Sequence, residues 1–150
     1  MNFEIITYSQ AYYDELLHMM LKLYEDSIQQ QYMSLDKIQK TLNTIPTHPQ
    51  LGKILLFKQQ TTIIGYTLLI NYWSNEYGGN ILYIDELFVK ESYRSKGIGT
   101  LFFRHLEKHV DNDTVALCLE TTPQNKKAQL FYEKNNFSIY ENIFYFKELN

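Results

Sequence analysis

The chain has little of what would place it outside the ordinary globular proteins. A single cysteine, Cys118, stands among 150 residues, so no internal disulfide can form and the fold has to hold by packing. Only 3 prolines and 6 glycines are present, which excludes collagen-like repeats and leaves no flexible linker on which to divide the chain. No apolar run approaches the roughly 20 residues that a membrane span needs. The opening Met1-Asn2-Phe3-Glu4 lacks the basic start and apolar stretch of a secretion signal, so a reducing, cytoplasmic setting is expected. The 14 basic residues form no stripe and the net charge is -3. The footprint of a phosphate-backbone binder is therefore missing, and neither nucleic acid nor membrane is an expected partner.

What is present is enough for one core. A chain of this length buries roughly 70% of its unfolded surface, so a single domain over residues 1–150 is expected. Aromatic residues make up 15%, with 13 tyrosines and 9 phenylalanines, a supply of flat side chains for a cleft as well as for a core.

Phe3 to Tyr8 reads as an opening strand. Ser9 can then cap a helix whose apolar residues Tyr13, Leu17, Met20, Leu21, Tyr24 and Ile28 recur at helical spacing. A short helix follows from Ser34 through Ile38 and Leu42 and stops at Pro46. Lys53–Lys58, Thr62–Trp73 and Ile81–Val89 read as an antiparallel meander, the last of them apolar on both faces except at Asp85 and Glu86. Ile98, Leu101, Phe102, His105, Leu106 and His109 mark a helix face, and Val115–Leu119 a strand, completing a βαβ unit. Thr122 before Pro123 predicts a further helix start, and Phe137 to Lys147 the final strands. The order is mixed α/β.

Between the strand that ends at Val89 and the following helix lies Lys90-Glu91-Ser92-Tyr93-Arg94-Ser95-Lys96-Gly97-Ile98-Gly99-Thr100. The first turn of a helix presents unpaired N–H groups and about half a positive charge, and glycines let a diphosphate reach the backbone. The P-loop pattern fails because Lys96 precedes its glycine, and the dinucleotide fingerprint fails because Phe102 occupies the place of its third glycine. Arg94-Ser95-Lys96-Gly97-Ile98-Gly99, following Leu87-Phe88-Val89, instead resembles motif A of the GNAT superfamily, the Gcn5-related N-acetyltransferases. Glu120 to Phe137, with Asn125, Ala128 and Phe131-Tyr132, resembles motif B. Asn136 stands where glycine is usual in that motif, a replacement that a left-handed backbone tolerates.

The resemblance implies a mixed α+β domain with a mostly antiparallel sheet of about 6–7 strands, splayed at an acyl-CoA cleft and flanked by about four helices. It implies acetyl-CoA as co-substrate, with no metal, held by Leu87, Phe88, Val89, the Arg94–Thr100 loop, Asn125 and Tyr132. The thioester carbonyl is expected over backbone N–H near Phe88. The acceptor amine, with a pKa of about 10, has to be deprotonated before it attacks. Asp85 and Glu86 are the candidate bases, Glu86 narrowly preferred; in a regular strand they point to opposite faces, so only one can serve unless a bulge alters the register. Tyr132 resembles the family's general acid, which returns a proton to the departing thiolate.

His105 and His109 lack the His-Glu-x-x-His order of a zinc protease, so no metal is expected there. Cys118, in an apolar strand, should be buried and inert. Tyr24, Tyr32, Trp73, Glu76 and Tyr145, with Glu25, Asp26 and Tyr77, make an acidic and aromatic set suited to a cation. The strand Tyr83–Val89 also resembles that of diamine and polyamine acetyltransferases. The expected acceptor is thus a small cationic amine, with a protein or peptide amine, or a non-catalytic acyl-CoA-binding module, as the alternatives. The apolar segment Ile143–Phe146 could extend a homodimer interface.

Overall fold

A computed structural model describes residues 2–25 and 33–149; Tyr32, with Asp26 and Ile28, lies outside the described residues. Two compact units are distinguished, Met1–Glu120 and Thr121–Asn150.

The first unit carries a mixed sheet. Strands β1 (Glu4–Thr7), β2 (Gly52–Gln59), β3 (Thr62–Ser74), β4 (Gly79–Val89) and β5 (Thr114–Leu119) lie side by side in chain order. The first four are antiparallel and β5 runs parallel to β4. Helices α1 (Tyr13–Glu25) and α2 (Leu35–Thr44) connect β1 to β2, and α3 (Ile98–His109) makes the crossover from β4 to β5. Ser34 caps α2 by accepting from the Lys37 N–H at 3.3 Å. Ser9 makes no such bond, and a 3-10 turn at Gln10–Tyr12 leads into α1 in its place.

Leu16, Met19 and Met20 of α1 and Ile38 and Leu42 of α2 pack on Ile54, Leu56, Ile63, Tyr66, Leu68 and Phe88. Each such side chain contributes about 1.5–3 kcal/mol by leaving water. Ile98, Phe102, Phe103 and Leu106 are the buried residues of α3, and the Phe102 ring lies 5.2 Å from that of Phe57. Phe103 replaces Leu101 and His109 of the expected face, since Leu101 is exposed and so is His109. Layers on both sides explain why β3 is buried without interruption from Ile63 to Leu69.

The second unit contains α4 (Lys126–Lys134). Its cap is Asn125 rather than Thr122: the Asn125 carboxamide oxygen accepts from the Ala128 N–H at 3.1 Å. Residues 137–149 form neither helix nor strand, so the described sheet has five strands rather than the expected 6–7. Ile143, Phe144, Tyr145 and Phe146 are 76–88% exposed. A strand needs a neighbour for its N–H and C=O groups, and the described residues of this unit supply none.

Candidate active site

Three features of the first unit converge on β4. The first is its C-terminal end. Gly97, the residue before α3, has φ 80 and nothing within 4 Å of where a Cβ would stand. Ser95 is also left-handed, at φ 60. No side chain caps α3, and Arg94 to Gly97 are exposed, so the first-turn N–H groups and the positive end of the helix face outward. Arg94 Nε donates to the Val89 carbonyl at 2.8 Å, and its guanidinium carbon lies 5.6 Å from the Phe88 ring centre. Lys96 Nζ sits 5.3 Å from that of Tyr93. Two cations thus flank a bare helix start, an arrangement whose charge and exposed N–H groups suit an anion.

The second feature is an open edge. Parallel pairing of β4 with β5 ends at Ile84 and Leu119, and beyond Ile84 no described strand pairs with that side of β4. Lys90 N–H bonds to Ile64 on β3 at 2.9 Å. Bond direction alternates along an antiparallel strand, so the backbone groups of Phe88 also turn to β3 while those of Leu87 and Val89 turn to the open side. The N–H groups available to a thioester carbonyl are thus the neighbours of Phe88 rather than its own.

The third is the carboxylate pair. Leu68 stands opposite Glu86 but Leu69 opposite Ile84, so Asp85 is the extra residue of a bulge, and the exception to strict alternation applies. The charges of both carboxylates act on the same two phenols: Tyr24 and Tyr66 are pushed up first by burial, then by Glu86 and, more weakly, by Asp85. Glu86 is buried, 7% exposed. Its Oε1 accepts from the Tyr24 hydroxyl and its Oε2 from the Tyr66 hydroxyl, each at 2.7 Å. Burial raises its pKa, the two phenol hydrogen bonds lower it, and Asp85 raises it again, with a net upward shift.

Asp85 is exposed as a residue, yet crowding at its carboxyl and then the charge of Glu120 push it above the usual carboxylate range. Glu120 follows β5 as Asp85 follows Ile84, and after burial its charge raises the phenol of Tyr83.

Sequence reasoning found Tyr24, Asp85 and Glu86 but missed Tyr66, Tyr83 and Glu120. Tyr66 and Tyr83 carry no local signal. Glu120 could have been found by aligning the ends of two parallel strands. The fold does not bring Trp73 and Glu76 to this cluster. Trp73 pairs with Asn80, five residues and about 16 Å along the strand from Asp85, and Glu76 occupies the turn before β4. Cys118 is exposed rather than buried, because β5 is the edge strand of the sheet; desolvation and then Glu120 raise its thiol. The rings of His105 and His109 stack at 4.0 Å.

In the second unit, Tyr132 packs against Phe131 and Phe137 at 5.5 and 6.1 Å between ring centres, and burial raises its phenol. Asn136 adopts φ 66, the left-handed conformation expected of the residue in glycine's place. Tyr145 is 88% exposed. No helix among the described residues is long and apolar enough to cross a membrane.

Comparison with known proteins agrees with this geometry. Residues 13–137 match the model of the acetyltransferase (GNAT) family. No curated protein matches the chain. Among solved structures, a possible acetyltransferase from Clostridium difficile 630 is similar with a TM-score of 0.87 at 21% identity, covering 99% of this chain and 98% of that one. The aminoglycoside N-acetyltransferase AAC(6')-Iy, bound to a bisubstrate analogue of CoA, gives 0.75 at 12% identity with 100% of both chains covered. A ribosomal-protein-alanine N-acetyltransferase from Brucella melitensis biovar Abortus 2308 gives 0.74 at 13% identity, covering 99% of this chain and 100% of that one.

Proposed function

The chain belongs to the acetyltransferase (GNAT) family, and on that premise we propose that it transfers an acetyl group from acetyl-CoA directly to a small cationic amine of the diamine or polyamine kind. The observation that carries this reading is the conjunction on β4 of an unpaired edge, a bulge bearing Asp85, and the anion-binding start of α3 just beyond its end.

The coenzyme's diphosphate would lie on the first turn of α3 between Arg94 and Lys96, with Ser95 and Gly97 to Thr100 around it. Its pantetheine would add to the open edge as a strand does, through Leu87 and Val89. The carbonyl oxygen of the thioester would then meet a backbone N–H on that edge, where negative charge develops on attack. Asp85 takes a proton from the acceptor ammonium, the freed amine attacks the carbonyl carbon, and the tetrahedral intermediate loses its second N–H proton to solvent as it collapses with C–S cleavage. Tyr132 gives its proton to the departing sulfur, and Asn125, which caps the helix bearing it, sets where that helix begins. Three carboxylates, Asp85, Glu86 and Glu120, with the phenols of Tyr24, Tyr66 and Tyr83, favour a cationic acceptor over a neutral one. The similar fold of AAC(6')-Iy, an aminoglycoside N-acetyltransferase seen with the bisubstrate analogue CoA-S-monomethyl-acetylneamine, supports a cationic acceptor.

Release of free thiol from acetyl-CoA, followed with diamines, polyamines, aminoglycosides, amino acids and peptides, tests the reading. Turnover with small polycations ahead of peptides is expected. Preference for a peptide amine would move the acceptor to the protein class, and tight coenzyme binding without thiol release from any acceptor would leave a binding module. Arg94→Ala should raise the KM for acetyl-CoA about tenfold, the worth of one charge-assisted contact, with little change in kcat. An unchanged KM would remove Arg94 from the diphosphate site.

A further inference from the structure

The two carboxylates of β4 have unlike circumstances, and the difference assigns them different tasks. Every acceptor atom that Glu86 presents is engaged within the first unit: Oε1 by Tyr24 of α1, Oε2 by Tyr66 of β3, and its backbone carbonyl by the Thr67 hydroxyl at 2.8 Å. Thr67 is itself fully buried. These three bonds fall at the place where the β3–β4 ladder slips by one residue. A bulge costs the ladder its regular pairing, and the Thr67 hydroxyl satisfies the Glu86 carbonyl there. Asp85, one residue earlier, is exposed.

We propose that Glu86 is a positioning residue: clamped between Tyr24 and Tyr66, it holds the bulge of β4 in the one register that presents Asp85 to the acceptor amine. The assignment rests on the acetyltransferase reading given above and deepens it. Two phenols occupy one lone pair on each carboxylate oxygen and fix the orientation of the group, so it cannot turn to meet an ammonium, and it is buried away from the solvent through which the proton would leave. The clamp also ties the last turn of α1 to the centre of the sheet, since Tyr24 is the penultimate residue of that helix.

Glu86→Gln keeps the shape and one acceptor of the clamp but cannot act as a base. Its kcat is expected to fall about tenfold through loosened geometry, with the acidic limb of the pH profile still present. The groups facing Asp85 are Tyr24 of α1, Tyr66 of β3, Tyr83 and Glu86 of β4 and Glu120 at the end of β5. Desolvation and then Glu120 raise Asp85, and the repulsion between Asp85 and Glu86 is mutual, so in Glu86→Gln the limb should persist and move to lower pH. Tyr24→Phe and Tyr66→Phe remove one clamp bond each without changing charge and should repeat the phenotype. Backbone hydrogen exchange at residues 84–88 should quicken in all three, a readout that does not depend on turnover. Loss of the acidic limb in Glu86→Gln would make Glu86 the base and overturn the proposal. So would wild-type kcat in all three variants, or unchanged exchange. A wild-type protein that releases no thiol with any amine would refute the acetyltransferase reading, while the exchange data would still decide the clamp.

Discussion

Asp85→Asn is expected to lower kcat/KM for the amine by about 10²- to 10⁴-fold, the usual worth of a positioned general base, while leaving coenzyme affinity unchanged. The substitution is nearly isosteric and removes only the capacity to accept a proton. Asp85 must be ionised to work, and its pKa lies above the ordinary carboxylate range, first through desolvation and then through Glu120. Activity in the wild type should therefore rise with pH through a limb displaced upward from about 4. Glu120→Gln removes the neighbouring charge and should move that limb to lower pH. The same shift has a cost in stability. A carboxyl raised in the folded state favours folding while it is protonated, and that advantage is lost as pH rises through its folded pKa. Asp85→Asn should accordingly melt no lower than the wild type at about pH 7, so its inactivity would not reflect unfolding. A variant that retained most of its turnover would remove Asp85 from the proton path.

Tyr132→Phe is the second large effect, a fall in kcat of about 10²-fold or more with acetyl-CoA affinity nearly intact. The substitution keeps the ring that packs between Phe131 and Phe137, so α4 should lose little stability. Burial raises the phenol, which keeps the proton on Tyr132 across the physiological range. Transfer to sulfur, whose thiol has a pKa of about 8.5, is then expected to occur only as the C–S bond breaks and charge builds on the leaving atom. The wild type should show a basic limb above about pH 10 that the variant lacks. Single-turnover measurements of thiol release separate this step from coenzyme binding. Undiminished turnover in Tyr132→Phe would leave the residue a packing role.

How far these assignments could be read from the chain depended on the distance over which each was encoded. The Arg94–Gly99 loop was legible because a helix start, two cations and two glycines lie within six residues, and the left-handed turn at Gly97 needs no distant partner. Asn136 was legible for the same reason, its φ of 66 being a property of that residue type at a helix end. The helix starts were less secure. Ser9 and Thr122 looked like caps, yet Gln10–Tyr12 begins a 3-10 turn and Asn125 caps α4; several Ser, Thr and Asn residues competed for each position, and packing chose among them. The final strands anticipated over Phe137–Lys147 are not formed, because apolar composition alone supplies no partner edge.

The sequence by itself determined the bare, cation-flanked start of α3, since Gly97, Gly99, Arg94 and Lys96 act there as near neighbours in the chain. Only the tertiary structure decided which of Asp85 and Glu86 is available to an acceptor. Glu86 is closed off by a phenol 62 residues away on α1 and another 20 residues away on β3, and Asp85 is turned outward by a one-residue slip between two strands. Hydrogen bonds across such separations, and a register that shifts in mid-strand, leave no periodicity in the chain from which they could be read.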